Sequence, residues 1–412
     1  MRKMLLNLSE SLPNLVRAKY KEAKASEALV FSPTEVDVIR TSAGIPFQLR
    51  YCPSLAKKPE PHKEKKKDNE EPKKEKFDPF DNPSPSLFIT DIPSSTTAKP
   101  SHLLVLNKFP VIQNHFIIAT KENKPQTHRL EEDDLEATYA CLKAWEQDGE
   151  DENQEADSTT QEKNSEKRLF AFFNSGNNSG ASQPHRHIQF LPVEDMREDK
   201  RADQKEGPTW DLLVDTILSN GVPTSSSLLP SLSTNKPIIT TNTIEGVIHH
   251  PALPFLHFAH RFTSSSPSGP QLLQMYNKLY NLALEAMQNV TSNNTPTTTQ
   301  SPDILSIQTP QEETDLPISY NLAMTTSGMA ILPRRSEGST LHDEDGSQAG
   351  YVQLNGTALG GTLMVKYAKE WDVLRNKSEA KLDGILSAIG IPNPSLYPTP
   401  PPVASASASA SL

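Results

Sequence analysis

The alternation of periodic apolar segments with blocks that have no apolar period most constrains what this 412-residue chain can fold into. Residues 57–76 alternate Lys, Glu and Pro, residues 149–167 are acidic and polar, and residues 291–317 are rich in Thr, Gln and Pro. Residues 224–233 read as a further loop, and a tail from residue 398 runs through a Ser-Ala repeat to Leu412. Such segments cannot bury enough apolar surface to offset the entropy of ordering them. They are therefore expected as disordered insertions in one framework, not as linkers between beads. A hydrophobic share of only 35% alongside 35 prolines fits a chain of which part is unpacked.

Between the blocks the periodicity is clear. Residues 103–106 (LLVL), 115–120 (HFIIAT) and 169–173 (LFAFF) are short runs rich in β-branched or aromatic residues and predict strands. Leu135, Tyr139, Leu142 and Trp145 recur at helical spacing behind the acidic run 131–134, which suits a helix N-terminus. A second helix is predicted over residues 270–287, carrying Leu272, Tyr276, Leu279, Ala283 and Ala286, with strands to follow at 319–324, 329–332 and 363–366. Leu382, Ile385, Leu386 and Ile389 mark a last helix that Gly390 and Pro392 stop. The expectation is an α+β protein with a mostly antiparallel sheet flanked by helices. It divides into an N-terminal region over 1–210 and a C-terminal region over 211–397, ahead of the tail.

Composition narrows the class of partner. A formal charge of −10 argues against binding polymeric nucleic acid through net charge, while leaving room for a local phosphate pocket. Two cysteines, Cys52 and Cys141, supply neither a disulfide framework nor a metal knuckle, so a reducing cytoplasmic compartment, and the nucleus with it, is the expected location. No apolar run is long enough to span a membrane, and Asn7, Ser9 and Glu10 interrupt the N-terminal one too early for a signal peptide. Neither G-x-G-x-x-G nor G-x-x-x-x-G-K is present.

The chemistry is concentrated in residues 183–189, QPHRHIQ. On a strand, period two aims His185, His187 and Gln189 at one face. Neutral imidazole is a good nucleophile near neutral pH, so one sheet face presents a nucleophile with hydrogen-bonding groups beside it. A bare H-x-H on a strand is as often structural or metal-binding, and a metal reading lacks further clustered ligands. Just upstream, the glycines and small residues that run from Asn174 through Ser179, Gly180, Ala181 and Ser182 let backbone N–H groups approach an anion closely, and Ser182 and Gln183 add side-chain donors. A phosphate cradle thus precedes the imidazoles.

The string GASQPHRHIQFLP, preceded by FFNSGNNS, resembles the H-x-H-x-Q signature of the histidine triad superfamily, in its ATP adenylyltransferase branch, the diadenosine tetraphosphate phosphorylases. Further pieces follow in family order: FQLR with LAKKP (47–59), FDPFDNP (77–83), LVLNKFPVIQNHFIIATK (104–121), SYNLAMT with GMAILPRR (319–335) and NGTALGGTLMVK (355–366). The resemblance implies a histidine-triad-like fold and a ping-pong reaction. His187 would attack an α-phosphorus to release ATP, and phosphate would attack the adenylyl-histidine to give ADP; the reverse makes dinucleotide from ATP and ADP. It implies catalytic roles for His187, His185 and Gln189, and substrate-binding roles for Lys58, Asn107, Lys108, Asn174, Ser179 to Gln183, Gln189, Asn321 and Met329. A magnesium-type divalent cation carried on the substrate phosphates and a monomeric enzyme are expected, with no metal held by the protein. The chain departs from the pattern where Thr326-Ser327-Gly328 stands before Met329 in place of the aromatic residue that relatives often carry.

Three rivals remain. A hexose-1-phosphate uridylyltransferase typically has proline between its two histidines, where this chain has Arg186. A histidine triad hydrolase usually carries a third histidine in place of Gln189; an amide stabilises charge but shuttles no proton, which favours an acceptor that arrives ionised, such as phosphate, over water. The nonenzymatic rival is a dinucleotide sensor, against which the intact His185, His187 and Gln189 argue.

Overall fold

The computed structural model describes residues 6–57, 77–93, 99–152, 167–197, 210–229, 242–293, 318–376 and 379–396. The insertions expected at 57–76, 149–167 and 291–317 fall almost wholly outside these residues, as does the tail.

Helix α1 (Leu12–Ala25) precedes strands β1 (Glu35–Arg40) and β2 (Pro46–Tyr51). Then come β3 (Phe88–Ile92), β4 (His102–Leu106), β5 (Phe116–Thr120), helix α2 (Glu132–Glu152), β6 (Leu169–Ser175) and β7 (His187–Pro192). The C-terminal region repeats that order with β8 (Val222–Ser225), β9 (Thr243–His249), β10 (Phe258–Arg261), a helix at Gly269–Asn293, β11 (Ser319–Thr325) and β12 (Gly328–Arg334). These strands form one 10-stranded sheet in the order β3-β4-β5-β7-β6-β11-β12-β10-β9-β8. Its ladders are antiparallel, and the two regions meet where Asn174 of β6 lies opposite Asn321 of β11. A hairpin, β13 (Gly338–His342) with β14 (Gln348–Gln353), follows, and β15 (Thr362–Val365) returns to pair in parallel with β2. The α+β reading with a mostly antiparallel sheet is the observed architecture. The reading of 224–233 as loop is corrected: Thr224 and Ser225 lie in β8, an edge strand, and Ser226–Leu228 form a 3-10 turn.

Period-two alternation distributes the strand side chains between two cores. Ile118, Phe173, Ile188, Phe190, Leu322, Met324 and Ile331 pack against α1, α2 and the Gly269–Asn293 helix. Phe172, Leu191, Ala323, Ala330 and Leu332 face the other way, toward β2, β15 and the helices Leu213–Asn220, Ala368–Arg375 and Glu379–Ile389. Phe116 and Phe190 stack across β5 and β7 with centroids 4.8 Å apart. The chemistry-bearing residues thus sit in the centre of a sheet whose registry is pinned from both sides.

The two repeats differ at one decisive place. Aligning Pro192 of β7 with Pro333 of β12 puts Gly328 where the first repeat has His187. A side chain at Gly328 has no room, because its Cβ would come 2.4 Å from the His260 carbonyl and 2.7 Å from the Leu218 side chain. Only the first repeat carries the imidazole.

Candidate active site

His187 is 3% exposed, and β7 lies between β5 and β6, with Ala119 opposite His187 and both Ile117 and Phe172 opposite Gln189. The His187 Nδ1 lies 2.8 Å from the His185 carbonyl oxygen. A carbonyl only accepts, so Nδ1 carries the proton and Nε2 keeps the lone pair. Nε2 makes no hydrogen bond among the described residues. Burial drives the His187 pKa down to about 4, the opposing pull of the His185 carbonyl being weaker. The ring is therefore a neutral base at physiological pH, with its nucleophilic nitrogen fixed in identity.

The main chain at this point is clamped as well. The Gln126 side chain accepts from the His187 N–H at 2.7 Å and donates to the Asn174 carbonyl at 2.8 Å and the His187 carbonyl at 3.2 Å. Gln126 is buried, and nothing in the sequence marked it beyond its place after the third core strand.

His185 is a support. Its Nδ1 lies 2.7 Å from Asp78 Oδ2, and its Nε2 lies 2.7 Å from the Thr120 carbonyl and 3.1 Å from the Thr120 hydroxyl. Both nitrogens are engaged within the protein, so the geometry fits a role for His185 in orienting His187 and leaves no ring nitrogen for a substrate oxygen. Asp78 is itself held by the Phe80 N–H at 2.9 Å and by Asn123 at 3.0 Å. Phe80 lies against both rings, with centroids 5.2 Å from His187 and 5.5 Å from His185. Asp78 and Phe80 belong to FDPFDNP, which the family resemblance had quoted without giving either residue a role.

Gln189 opens onto a cavity of about 230 Å³ whose lining also includes Asn107, Phe109, His115, Phe172, Gly180 and Asn355. The Gln189 amide has no hydrogen-bond partner among the described residues. Asn107 holds His115 at 3.0 Å and caps the Phe109 N–H at 2.9 Å, while Lys108 is exposed with its ammonium 5.6 Å from the Phe109 ring centroid, outside the cavity lining. Asn174 and Asn321 form a buried brace: Asn321 Nδ2 donates to Asn174 Oδ1 and to the Ser179 carbonyl, each at 2.9 Å. Asn174 Oδ1 also accepts from the Gly356 N–H at 2.8 Å, drawing the NGTALGG segment against the small-residue loop. Gly180 permits that approach, since a Cβ there would lie 2.7 Å from Asn355 Cβ, and its φ of +78° suits glycine. Ala181 and Ser182 are exposed and Gln183 is half-buried. Met329 lies elsewhere, buried in the helix-side core on the opposite sheet face from Gln189, because it occupies the position that Ile188 has in the first repeat. Lys58 lies outside the described residues.

His257 and His260 are engaged within the protein. His257 reproduces the His187 pattern, with Nδ1 3.0 Å from the carbonyl two residues before it, but its Nε2 accepts from the His250 N–H at 2.9 Å. His260 lies on the surface with Nδ1 against the Arg261 carbonyl. Among the described residues no three His, Cys, Asp or Glu side chains converge as a metal cage, and no helix is long and apolar enough to cross a membrane.

Residues 2–149 and 155–204 match the Ap4A phosphorylase N-terminal domain, and residues 251–392 match the ATP adenylyltransferase C-terminal domain. The chain belongs to the Ap4A phosphorylase family. Diadenosine 5',5'''-P1,P4-tetraphosphate phosphorylase 2 of Saccharomyces cerevisiae is 25% identical over 389 residues, spanning 94% of this chain and 96% of that protein. Protein APA1 of the same yeast is 26% identical over 394 residues, spanning 95% and 97%. The crystal structure of yeast Ap4A phosphorylase Apa2 in complex with Ap4A shares the fold, with a TM-score of 0.63 at 20% identity over 94% of this chain and 99% of that one.

The lowered pKa gives a pH expectation. Because the folded value lies below the ordinary imidazole value of about 6.5, His187 protonates only well below neutrality, and folding stability tied to the neutral ring is lost as pH falls from about 6.5 toward 4. A ¹³C-histidine NMR titration should show the His187 resonance unshifted between pH 8 and about pH 5.5, as a consequence of that depression. Titration near pH 6.5 would contradict the buried neutral ring.

Proposed function

We propose that this chain is a diadenosine tetraphosphate phosphorylase, an ATP adenylyltransferase that converts the dinucleotide and phosphate to ATP and ADP through an adenylyl-histidine at His187. The carrying observation is the His187 ring: neutral, held by its Nδ1–H, and presenting Nε2 on the face that Gln189 and the small-residue loop share. Nε2 attacks the α-phosphorus, an N–P bond forms, and the P–O bond to the departing ATP breaks. The ring gains positive charge as it does so, which strengthens the Nδ1–H bond to the His185 carbonyl. Gln189, on the same face, is placed to donate its amide to a nonbridging oxygen of the transferring group. A phosphate oxygen then attacks the same phosphorus, the N–P bond breaks, and ADP forms with His187 regenerated. Splitting one displacement into two is what a covalent nucleophile contributes.

The histidine triad hydrolase reading is weaker for a physical reason: Gln189 stands in the third place and cannot shuttle a proton, and both nitrogens of His185 are engaged by Asp78 and Thr120, so neither is placed to activate water. The same proposal includes a divalent cation that arrives on the substrate phosphates, where it neutralises charge. It also includes a monomer working in the cytoplasm and nucleus.

Product analysis tests the reading. Purified protein incubated with diadenosine tetraphosphate and magnesium should give ATP and ADP only when phosphate is added, and excess chelator should stop it. ATP with AMP in the absence of phosphate would make it a hydrolase, tight binding without products would make it a sensor, and turnover under full chelation would remove the cation.

A further inference from the structure

Between the two histidines, the Arg186 side chain leaves the opposite face of the strand and enters the protein. It is 2% exposed, with Nη1 2.7 Å from Glu131 Oε1 and 2.9 Å from Asp134 Oδ2. Asp134 Oδ1 lies 2.9 Å from His102 Nε2, and His102 Nδ1 lies 2.8 Å from the Ser101 hydroxyl. Lys124 holds the other oxygen of Glu131 at 2.6 Å. Burial pushes the Asp134 carboxyl up, but the His102 hydrogen bond and the Arg186 charge outweigh it and hold the carboxyl below the usual range. The Arg186 main chain is fixed too, its N–H donating to the Lys124 carbonyl at 2.7 Å and its carbonyl accepting from the Thr120 N–H at 3.2 Å.

Two features separate this network from ordinary packing. Burying several charges costs desolvation that a well-packed apolar cluster avoids, and the buried Arg186 Nε has no partner among the described residues, so the network is a poor device for stability alone. It also lies where the regular ladder has not begun: β7 starts at His187, and the main chain of His185 pairs through an isolated bridge to Pro125. The carbonyl that holds His187 Nδ1 belongs to that unladdered residue.

We propose that Arg186 is a positioning residue for the transfer reaction. By anchoring the peptide between the histidines to Glu131 and Asp134 at the start of α2, it aims the His185 carbonyl at His187 Nδ1 and so fixes the reactive tautomer. Substrate does not touch it. The inference rests on His187 being the nucleophile, and its test includes a readout that needs no reaction.

The test compares Arg186→Gln and Arg186→Lys with the unaltered full-length protein. Arg186→Gln is expected to slow single-turnover adenylylation of His187 at saturating dinucleotide by about 10- to 100-fold, the cost of a misplaced reacting group. The Kd for AMP should stay within about 3-fold of wild type, as expected if uniform binding is untouched. Arg186→Lys restores part of the rate, because an ammonium keeps the charge but sits on a shorter side chain than the guanidinium whose Nη1 bridges both carboxylates. The ¹⁵N shifts of the His187 ring should move from a pure Nδ1–H tautomer to a mixture in Arg186→Gln. Should that variant fail to fold, Glu131→Gln, which alters a half-exposed carboxylate and leaves Asp134 in place, should show the same tautomer mixture to a smaller degree. An unchanged tautomer, or a rate loss matched by an equal loss of AMP affinity, would overturn the positioning role. A changed tautomer in a protein that never transfers adenylate would uphold the anchoring of the His187 tautomer by Arg186 while overturning its role in transfer together with the phosphorylase reading.

Discussion

His187→Ala should abolish adenylyl transfer, lowering it on the order of 10⁴-fold or more, and leave a folded protein. Neither His185 nor the second repeat supplies a replacement for the attack. His185 has both nitrogens engaged, His257 has its Nε2 occupied, and the equivalent of His187 in the second repeat is Gly328, with no space for a side chain. The fold survives because β7 is hydrogen-bonded along both edges and Gln126 still clamps the main chain at residue 187. Losing the Nδ1 bond leaves the His185 carbonyl unsatisfied, a cost of about 1–3 kcal/mol. Intact-mass detection of the adenylyl adduct, with a thermal melt beside it, makes the measurement. An adduct on the variant would move the nucleophile elsewhere.

Arg334→Ala is expected to be the most destabilising single change at the junction of the two repeats, by about 3–5 kcal/mol. Arg334 is fully buried, and burial lowers its pKa to about 10. Its guanidinium donates to Asn321 Oδ1, to the Ser336 carbonyl at 2.9 Å, to the Glu337 carbonyl at 3.0 Å and to the Leu354 carbonyl at 2.8 Å. Truncation orphans the Asn321, Ser336 and Leu354 acceptors together, while the Glu337 carbonyl keeps the Leu354 N–H at 2.9 Å. Because Asn321 braces Asn174 and Ser179, while Leu354 and Glu337 line the cavity, KM for the dinucleotide should rise as stability falls. Urea unfolding at fixed m-value reads the first effect and steady-state kinetics the second. A midpoint change worth less than about 1 kcal/mol would mean that water replaces the guanidinium at these carbonyls.

The sequence alone determined the periodic core and the chemistry. Period two in HRHIQ placed His187 and Gln189 on one face, and helical spacing from Leu135 to Trp145 and from Leu272 to Ala286 located both long helices. Those signals are local: each depends on residues within one turn or one strand. Tertiary structure decided what each histidine does. His187 and His257 both direct Nδ1 to the carbonyl two residues earlier, and only the backbone of His250, brought in by the chain's return, distinguishes a free Nε2 from an occupied one. Gln126 gave no sequence signal, because its role exists only once β5, β6 and β7 are neighbours. Asp78 lies 107 residues from the ring it holds. Met329, which the resemblance placed among the substrate-binding positions, lies in the core for the same reason: which face a strand residue takes is fixed by register against the strands beside it, and a sequence gives the period of that alternation without its phase.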